Sequence, residues 1–276
     1  MSRIKKALEK AKAQRMTAED MKVPKAHRAH GAAAQTHVPT YHKTKVIDVP
    51  QKTLLKNRVV AADEENPATD YFKLLRTRVL HRTRPERMNT IQVSGFDPDE
   101  GKTLVAVNLA ICMARDTRQT TLLVDLDFRK PTIHRLLGLS DNVEGLKSYF
   151  QGNTPLEDLF INPGIEKLTV LPAGGRVPNS TEVMGSPQME ELVKELKQRY
   201  SDRYIIFDTP GLNTCPDPLV FSSYVDAILL VARANYTTVD TVEAAMELIP
   251  HDKLLGTVLN DATGLDASSY YYYQHY

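Results

Sequence analysis

SGFDPDEGKT, residues 94–103, stands between two apolar runs, NTIQV at 89–93 and LVAVNLAICMA at 104–114. Its ending, Gly101-Lys102-Thr103, is that of a phosphate-binding loop. Such a loop wraps its backbone N–H groups around phosphates at the N-terminus of a helix. Glycine at 101 permits close backbone approach, Lys102 brings a point charge to the phosphates, and the Thr103 hydroxyl is placed to ligate Mg²⁺. The usual spacing, G-x-x-x-x-G-K-[ST], requires a glycine at 96; Phe96 stands there, with Gly95 one residue earlier. The flanks supply the context the motif needs, a strand before it and an amphipathic helix after it.

Working outward, LLVDLDFRKP at 122–131 is a second apolar run, ending in Asp125 and Asp127. Two residues apart, both carboxylates project to one side at a strand's carboxyl end, where open parallel sheets bind ligands. RYIIFDTPG at 203–211 leads four mostly apolar residues into Asp208, in the form of a Walker B strand. Carboxylates at these positions serve Mg²⁺ and a proton acceptor beside a phosphate loop. Further strands are expected at KLTVLPAG (167–174), DAILLVARA (226–234) and KLLGTVLND (253–261). Helices are expected at 66–83, 186–200 and 239–250. Strands apolar on both faces, alternating with helices, predict an α/β fold: a mostly parallel sheet with helices on both faces, a P-loop NTPase.

Ahead of this block the character changes. Residues 1–46 hold eleven Lys/Arg against three Asp/Glu, a net of +8, and the remainder holds 24 against 31, a net of −7. SRIKKALEKAKAQR reads as a short helix with Ile4, Ala7, Leu8 and Ala11 on one face. Residues 17–55 read as a flexible linker. The expected organisation is a basic helix and linker over 1–55, a catalytic domain over 56–265, and a tail over 266–276. That tail carries Tyr270, Tyr271, Tyr272, Tyr273 and Tyr276, five of the twelve tyrosines in the chain. No stretch is long and apolar enough to span a membrane. Cys112 and Cys215 fit no metal or disulfide framework and read as small buried hydrophobes. His27, His30, His37 and His42 match no metal spacing.

Together, SGFDPDEGKT, the D-x-D-x-R formed by Asp125, Asp127 and Arg129, IIFDTPG and the tyrosine-rich tail resemble the bacterial tyrosine kinases of polysaccharide synthesis and export. PTIHRLLGL, GLKSYFQGNTPLEDLF and VLPAGGRVPNSTEVM resemble that family too, so the likeness runs from about residue 67 to the tail. The resemblance implies an ATP- and Mg²⁺-dependent autokinase whose tail tyrosines are the acceptors, modified in trans within a homo-oligomer. It implies Lys102, Asp125, Asp127 and Asp208 as catalytic residues and Thr103, Asp127 and Asp208 as the metal set. Nucleotide is then expected against Pro98, Asp99, Glu100, Gly101, Lys102, Thr103 and Leu104, with Arg129 and Asn260. It further implies a cytoplasmic enzyme peripheral to the inner membrane, working with a polysaccharide co-polymerase (a chain-length protein) and a cognate tyrosine phosphatase, and no nucleic acid.

Three motifs depart from the family pattern. Asp99 replaces a glycine in P-G-E-G-K, which brings a carboxylate toward the phosphates unless it points away. The assembly motif E-x-x-R-x-x-R appears as Asp70-x-x-Lys73-x-x-Arg76, and lysine lacks the bidentate fork of arginine. Gly211 stands where a second proline is usual after D-T-P. Two other classes share the nucleotide site: a ParA/MinD-type positioning ATPase, which commonly carries a lysine early in the loop where 94–97 have none, and a nucleotide-binding scaffold without turnover.

Overall fold

A computed structural model of the chain describes residues 44–199 and 203–263. The expected N-terminal helix, the four histidines of the arm and the tail tyrosines lie outside the described residues. Eight strands form one sheet: β1 (Lys45–Val46), β2 (Thr90–Gly95), β3 (Thr120–Asp125), β4 (Ile161–Asn162), β5 (Leu168–Leu171), β6 (Arg203–Gly211), β7 (Ala227–Arg233) and β8 (Leu254–Asn260). Their order is β1-β4-β5-β3-β6-β2-β7-β8. Every pairing is parallel except β4 with β5. The helices that matter below are α1 (Gln51–Lys56), α2 (Pro67–Thr83), α3 (Lys102–Ala114), α4 (Ile133–Leu136), α5 (Leu146–Phe150), α6 (Ser180–Met184), α7 (Pro187–Arg199), α8 (Asp217–Phe221) and α9 (Val239–Met246).

The central strands are mostly apolar because their side chains alternate between two cores. Ile91, Val93, Leu123, Ile206, Leu229 and Val231 pack with α3 on one face. Leu122, Val124, Ile205, Phe207, Ile228 and Leu230 pack with α7 and α8 on the other. α2 begins as its sequence asks: Asn66 caps it, its side chain accepting the Ala68 N–H at 3.0 Å, and Pro67 follows at the first position. Cys112 and Cys215 are buried, and burial pushes both thiols up to about 11.

One expectation fails. The last part of the supposed linker belongs to the fold, so the catalytic domain starts upstream of residue 56. Lys45 and Val46 pair with Ile161 and Asn162 at the sheet edge. Val49, Leu54, Val59 and Ala61 enter the core on the α3 side. Asn108 of α3 fixes the segment, its Oδ1 accepting the Ala61 N–H at 2.8 Å. A two-residue strand and a six-residue helix carry too few apolar positions to leave a period in the sequence.

Candidate active site

The loop after β2 turns because of what it carries inside it. The Glu100 carboxylate is fully buried. Its Oε2 accepts the backbone N–H groups of Phe96 (2.6 Å) and Asp97 (2.9 Å), and its Oε1 accepts the Thr237 hydroxyl (2.6 Å). A β-carbon on Gly95 would strike Glu100 Oε2 and the Val231 carbonyl, so the glycine of this loop is needed at 95. Phe96, in the usual glycine position, is buried in the core beneath. Glu100, expected to face nucleotide, therefore turns its side chain into the loop.

Gly101 has φ +86° and a β-carbon there would meet Asn260 Nδ2, which donates to the Glu100 carbonyl at 2.9 Å. Asn260, distant in sequence, is thus fastened against the loop. Asp99 has φ +61°, the conformation for which glycine is the easiest residue. Its side chain is 73% exposed and lies 3.5 Å from Lys130. Lys102, buried at the start of α3, donates to the Asp97 carbonyl at 2.6 Å. Thr103 and Leu104 follow in the first turn of α3, and the Thr132 hydroxyl approaches Thr103 Oγ1 at 3.4 Å. Pro98 is exposed at the loop tip.

Asp125 and Asp208 end the paired registers of β3 and β6 as direct neighbours, and both are fully buried. Asp125 accepts the N–H groups of Asp127 and Ile133, each at 3.2 Å. Burial, reinforced by the nearby charge of Asp127, pushes Asp125 up to about 7. Burial and the charge of Asp125 raise Asp208 well above the usual carboxylate range. The Thr103 side chain sits close enough to favour the charged form of Asp208, yet neither Asp208 oxygen has a well-formed hydrogen bond. Asp127 is half-buried and accepts the Lys130 N–H at 2.8 Å.

Among the described residues no three His, Cys, Asp or Glu side chains converge as a ready-made metal cage. Mg²⁺ needs none: it keeps several waters and takes one or two carboxylates plus substrate phosphates. The unpartnered buried oxygens of Asp208 beside the Thr103 hydroxyl fit that hard, oxygen-seeking ion.

Arg129 is paired with a different partner, its Nε lying 3.4 Å from the buried carboxylate of Asp217. Asp217 also accepts the Thr181 hydroxyl at 2.5 Å. Burial alone would raise its pKa, but the Ser180 and Thr181 side chains and Arg129 hold it below the ordinary value. Asp217 was not foreseen; an aspartate between two prolines carries no motif. Gly211 also has a local reason. A β-carbon there would crowd the Phe96 carbonyl, which accepts the Asn213 N–H at 2.9 Å while the Leu212 N–H donates to the Gly95 carbonyl at 2.9 Å. On α2, Asp70 and Lys73 pair at 2.9 Å on the surface, whereas Arg76 donates to the Cys112 carbonyl at 3.1 Å.

No family model matches the chain. Among curated proteins, the tyrosine-protein kinase CpsD of Streptococcus pneumoniae serotype 4 is 30% identical over 195 residues, 70% of this chain and 84% of CpsD. Among solved structures, the chimerical protein CapA2B2 superposes with a TM-score of 0.69 at 30% identity, covering 83% of this chain and 97% of that one. The septum site-determining protein MinD of Pyrococcus horikoshii, complexed with Mg-ADP, shares the fold, with a TM-score of 0.52 at 21% identity over 66% of this chain and 75% of that one.

Proposed function

The chain belongs to the bacterial tyrosine-protein kinases, and from that premise we propose that it phosphorylates the tyrosine cluster of its own C-terminal tail, in trans, between copies in a homo-oligomer. The observation that carries this reading is the convergence of Lys102, Thr103, Asp125 and Asp208 at one edge of the sheet. ATP supplies the phosphoryl group, and Mg²⁺, held by Thr103 with Asp127 and Asp208, supplies neutralising charge on the phosphates.

The chain's own residues then have separable tasks. Lys102 and the amides at the start of α3 hold the phosphates. A phenol, with a pKa near 10, is a poor nucleophile until its proton has a destination. Asp125, lifted to about 7, is a base matched to neutral pH. As the phenol oxygen bonds to the γ-phosphorus, the proton passes to Asp125 and the bond to the β-phosphate oxygen breaks, leaving ADP. Asn260 braces the loop from behind. Arg129, held by Asp217, orders the turn that follows Asp127.

Five tyrosines in the last seven residues raise the local concentration of acceptor. Each phosphate adds about −1.5 to −2 charges, so tails that are modified together repel and loosen the oligomer. This reading places the enzyme in regulation of exopolysaccharide or capsule synthesis. The basic arm would sit at the cytoplasmic face of the inner membrane with a polysaccharide co-polymerase, and a phosphatase would reset the tail. Among the described residues no helix is long and apolar enough to cross a membrane.

Intact mass after incubation with ATP and Mg²⁺ tests the function. Gains in multiples of one phosphate on the tail support the kinase. ATP turnover without mass gain would move the protein to the positioning ATPases, and neither would make it a scaffold. Wild-type enzyme that leaves the tail of an admixed Lys102→Met copy unlabelled while labelling its own would overturn transfer between copies.

A further inference from the structure

The buried carboxylate inside the phosphate loop does not stand alone. Thr237 lies in the turn after β7, 137 residues from Glu100 in sequence, and its hydroxyl donates to Glu100 Oε1 at 2.6 Å. The same hydroxyl oxygen accepts the Arg233 N–H at 2.9 Å, and the Thr237 N–H returns to the Arg233 carbonyl at 2.9 Å. The hydroxyl is therefore aimed from a closed turn. We propose that Thr237 is a positioning residue for ATP, acting through Glu100 on the shape of the phosphate loop. This inference rests on the reading of residues 95–103 as the phosphate site.

A loop at a helix N-terminus offers its amides to anions. Here the first two amides, those of Phe96 and Asp97, are already taken by a carboxylate of the chain itself. Asp97 is gripped on its other side too, its carbonyl accepting Lys102 Nζ at 2.6 Å. One carboxylate and one ammonium thus fix the two peptide groups that flank the Asp97 α-carbon and set the path into 97–101. A buried carboxylate is rigid only if its oxygens are satisfied. Oε2 has two donors; Oε1 has the Thr237 hydroxyl. Without that hydroxyl, Glu100 can swing, and the grip on Phe96 and Asp97 slackens. Lys102 would shift with the Asp97 carbonyl it holds. Nothing in the motif G-K-T reports this, because the donor comes from the far end of β7.

The test compares ADP binding by titration calorimetry for the wild type, Thr237→Val and Thr237→Ser, with the full chain. Valine keeps the shape and removes the hydroxyl; serine keeps the hydroxyl. The expected result is about ten-fold weaker binding for Thr237→Val, from loss of one bond to a charged acceptor, and near-complete recovery in Thr237→Ser. Equal affinity in all three, or a loss that serine does not recover, overturns the proposal. Failure of the wild type to bind ADP would instead strike the phosphate-site reading. Amide hydrogen exchange without nucleotide decides the positioning role separately, and also serves if the valine variant is poorly folded. In the wild type the Phe96 and Asp97 amides should exchange slowly. In Thr237→Val they should speed up about ten-fold or more while Ile91 and Val93 do not change. Fast exchange at Phe96 and Asp97 in the wild type, or acceleration spread over all of β2 in the variant, overturns it.

Discussion

Asp125 and Asp208 face each other as the final registered pair of β3 and β6, both without exposed surface. Two buried carboxylates side by side cannot both ionise cheaply, and burial is the larger cause of the upward shift in each. The pair is a stored demand for positive charge.

That demand sets a pH dependence. Asp125 titrates near 7 in the fold against 3.8 unfolded. Between those values the folded state holds a proton that the unfolded state has released. Metal-free stability should therefore fall as pH rises from about 4 through 7 and level off above. Asp217 and Asp226, whose values are lowered, lose their contributions below that window, so the two effects separate. Asp208→Asn should raise the metal-free Tm at pH 8 by at least about 3 °C, and the wild type but not the variant should gain Tm on addition of Mg²⁺. A metal-free Tm rising from pH 5 to 8 would contradict the pairing.

Lys102→Met should lower phosphate transfer by about 10²–10³-fold or more. Its ammonium donates to the Asp97 carbonyl, a bond from a charged donor, so folding stability should fall by about 1.5–3 kcal/mol and the chain should stay folded. Tail labelling is read by intact mass and stability by urea denaturation. Undiminished labelling by the pure variant would remove Lys102 from the site.

Asp99→Gly should change ADP affinity by less than about two-fold. The carboxylate points to solvent and Lys130, where its field on the phosphates is screened. Glycine relieves the left-handed backbone at 99 but adds freedom to the unfolded chain, so stability should hardly move. Calorimetric titration checks it; markedly tighter binding would mean that the side chain faces the phosphates.

Lys73→Ala isolates the role of α2 in self-association. Lys73 and Asp70 form an exposed pair of little energetic weight, so the Tm should stay within about 1 °C. The oligomer fraction in sedimentation should drop. Arg76→Ala is a poorer probe, because it also strips a bond from the Cys112 carbonyl near the end of α3. An unchanged oligomer fraction for Lys73→Ala would argue against this face of the helix as a contact between copies.

The fold was largely legible because its strands are buried on both faces. TTLLVD, YIIF and AILLV read as strands without help, and the loop between two apolar runs names its own chemistry. Helix existence could be read at α2, α3, α7 and α9 for a different reason, a sustained helical period. β1 and α1 could not, since two and six residues are too short for an apolar position to recur. The site was legible only as a set of strand ends. That Asp125 faces Asp208 depends on β3 lying beside β6, and strand order leaves no trace in a local pattern. The inward turn of Glu100 and the grip of Asp217 on Arg129 are contacts across 137 and 88 residues. Spacing cannot reveal them.

β1 and β8 close opposite edges of the same sheet. Seven strand spacings of about 4.8 Å separate them, roughly 34 Å before twist. Whatever precedes residue 45 joins at one margin, and whatever follows residue 260 departs from the other. A reporter fused at the N-terminus therefore connects to the sheet at the margin opposite the one from which the tail leaves. Under the proposed function, a reporter fused after residue 276 would instead load the segment that carries the acceptor tyrosines.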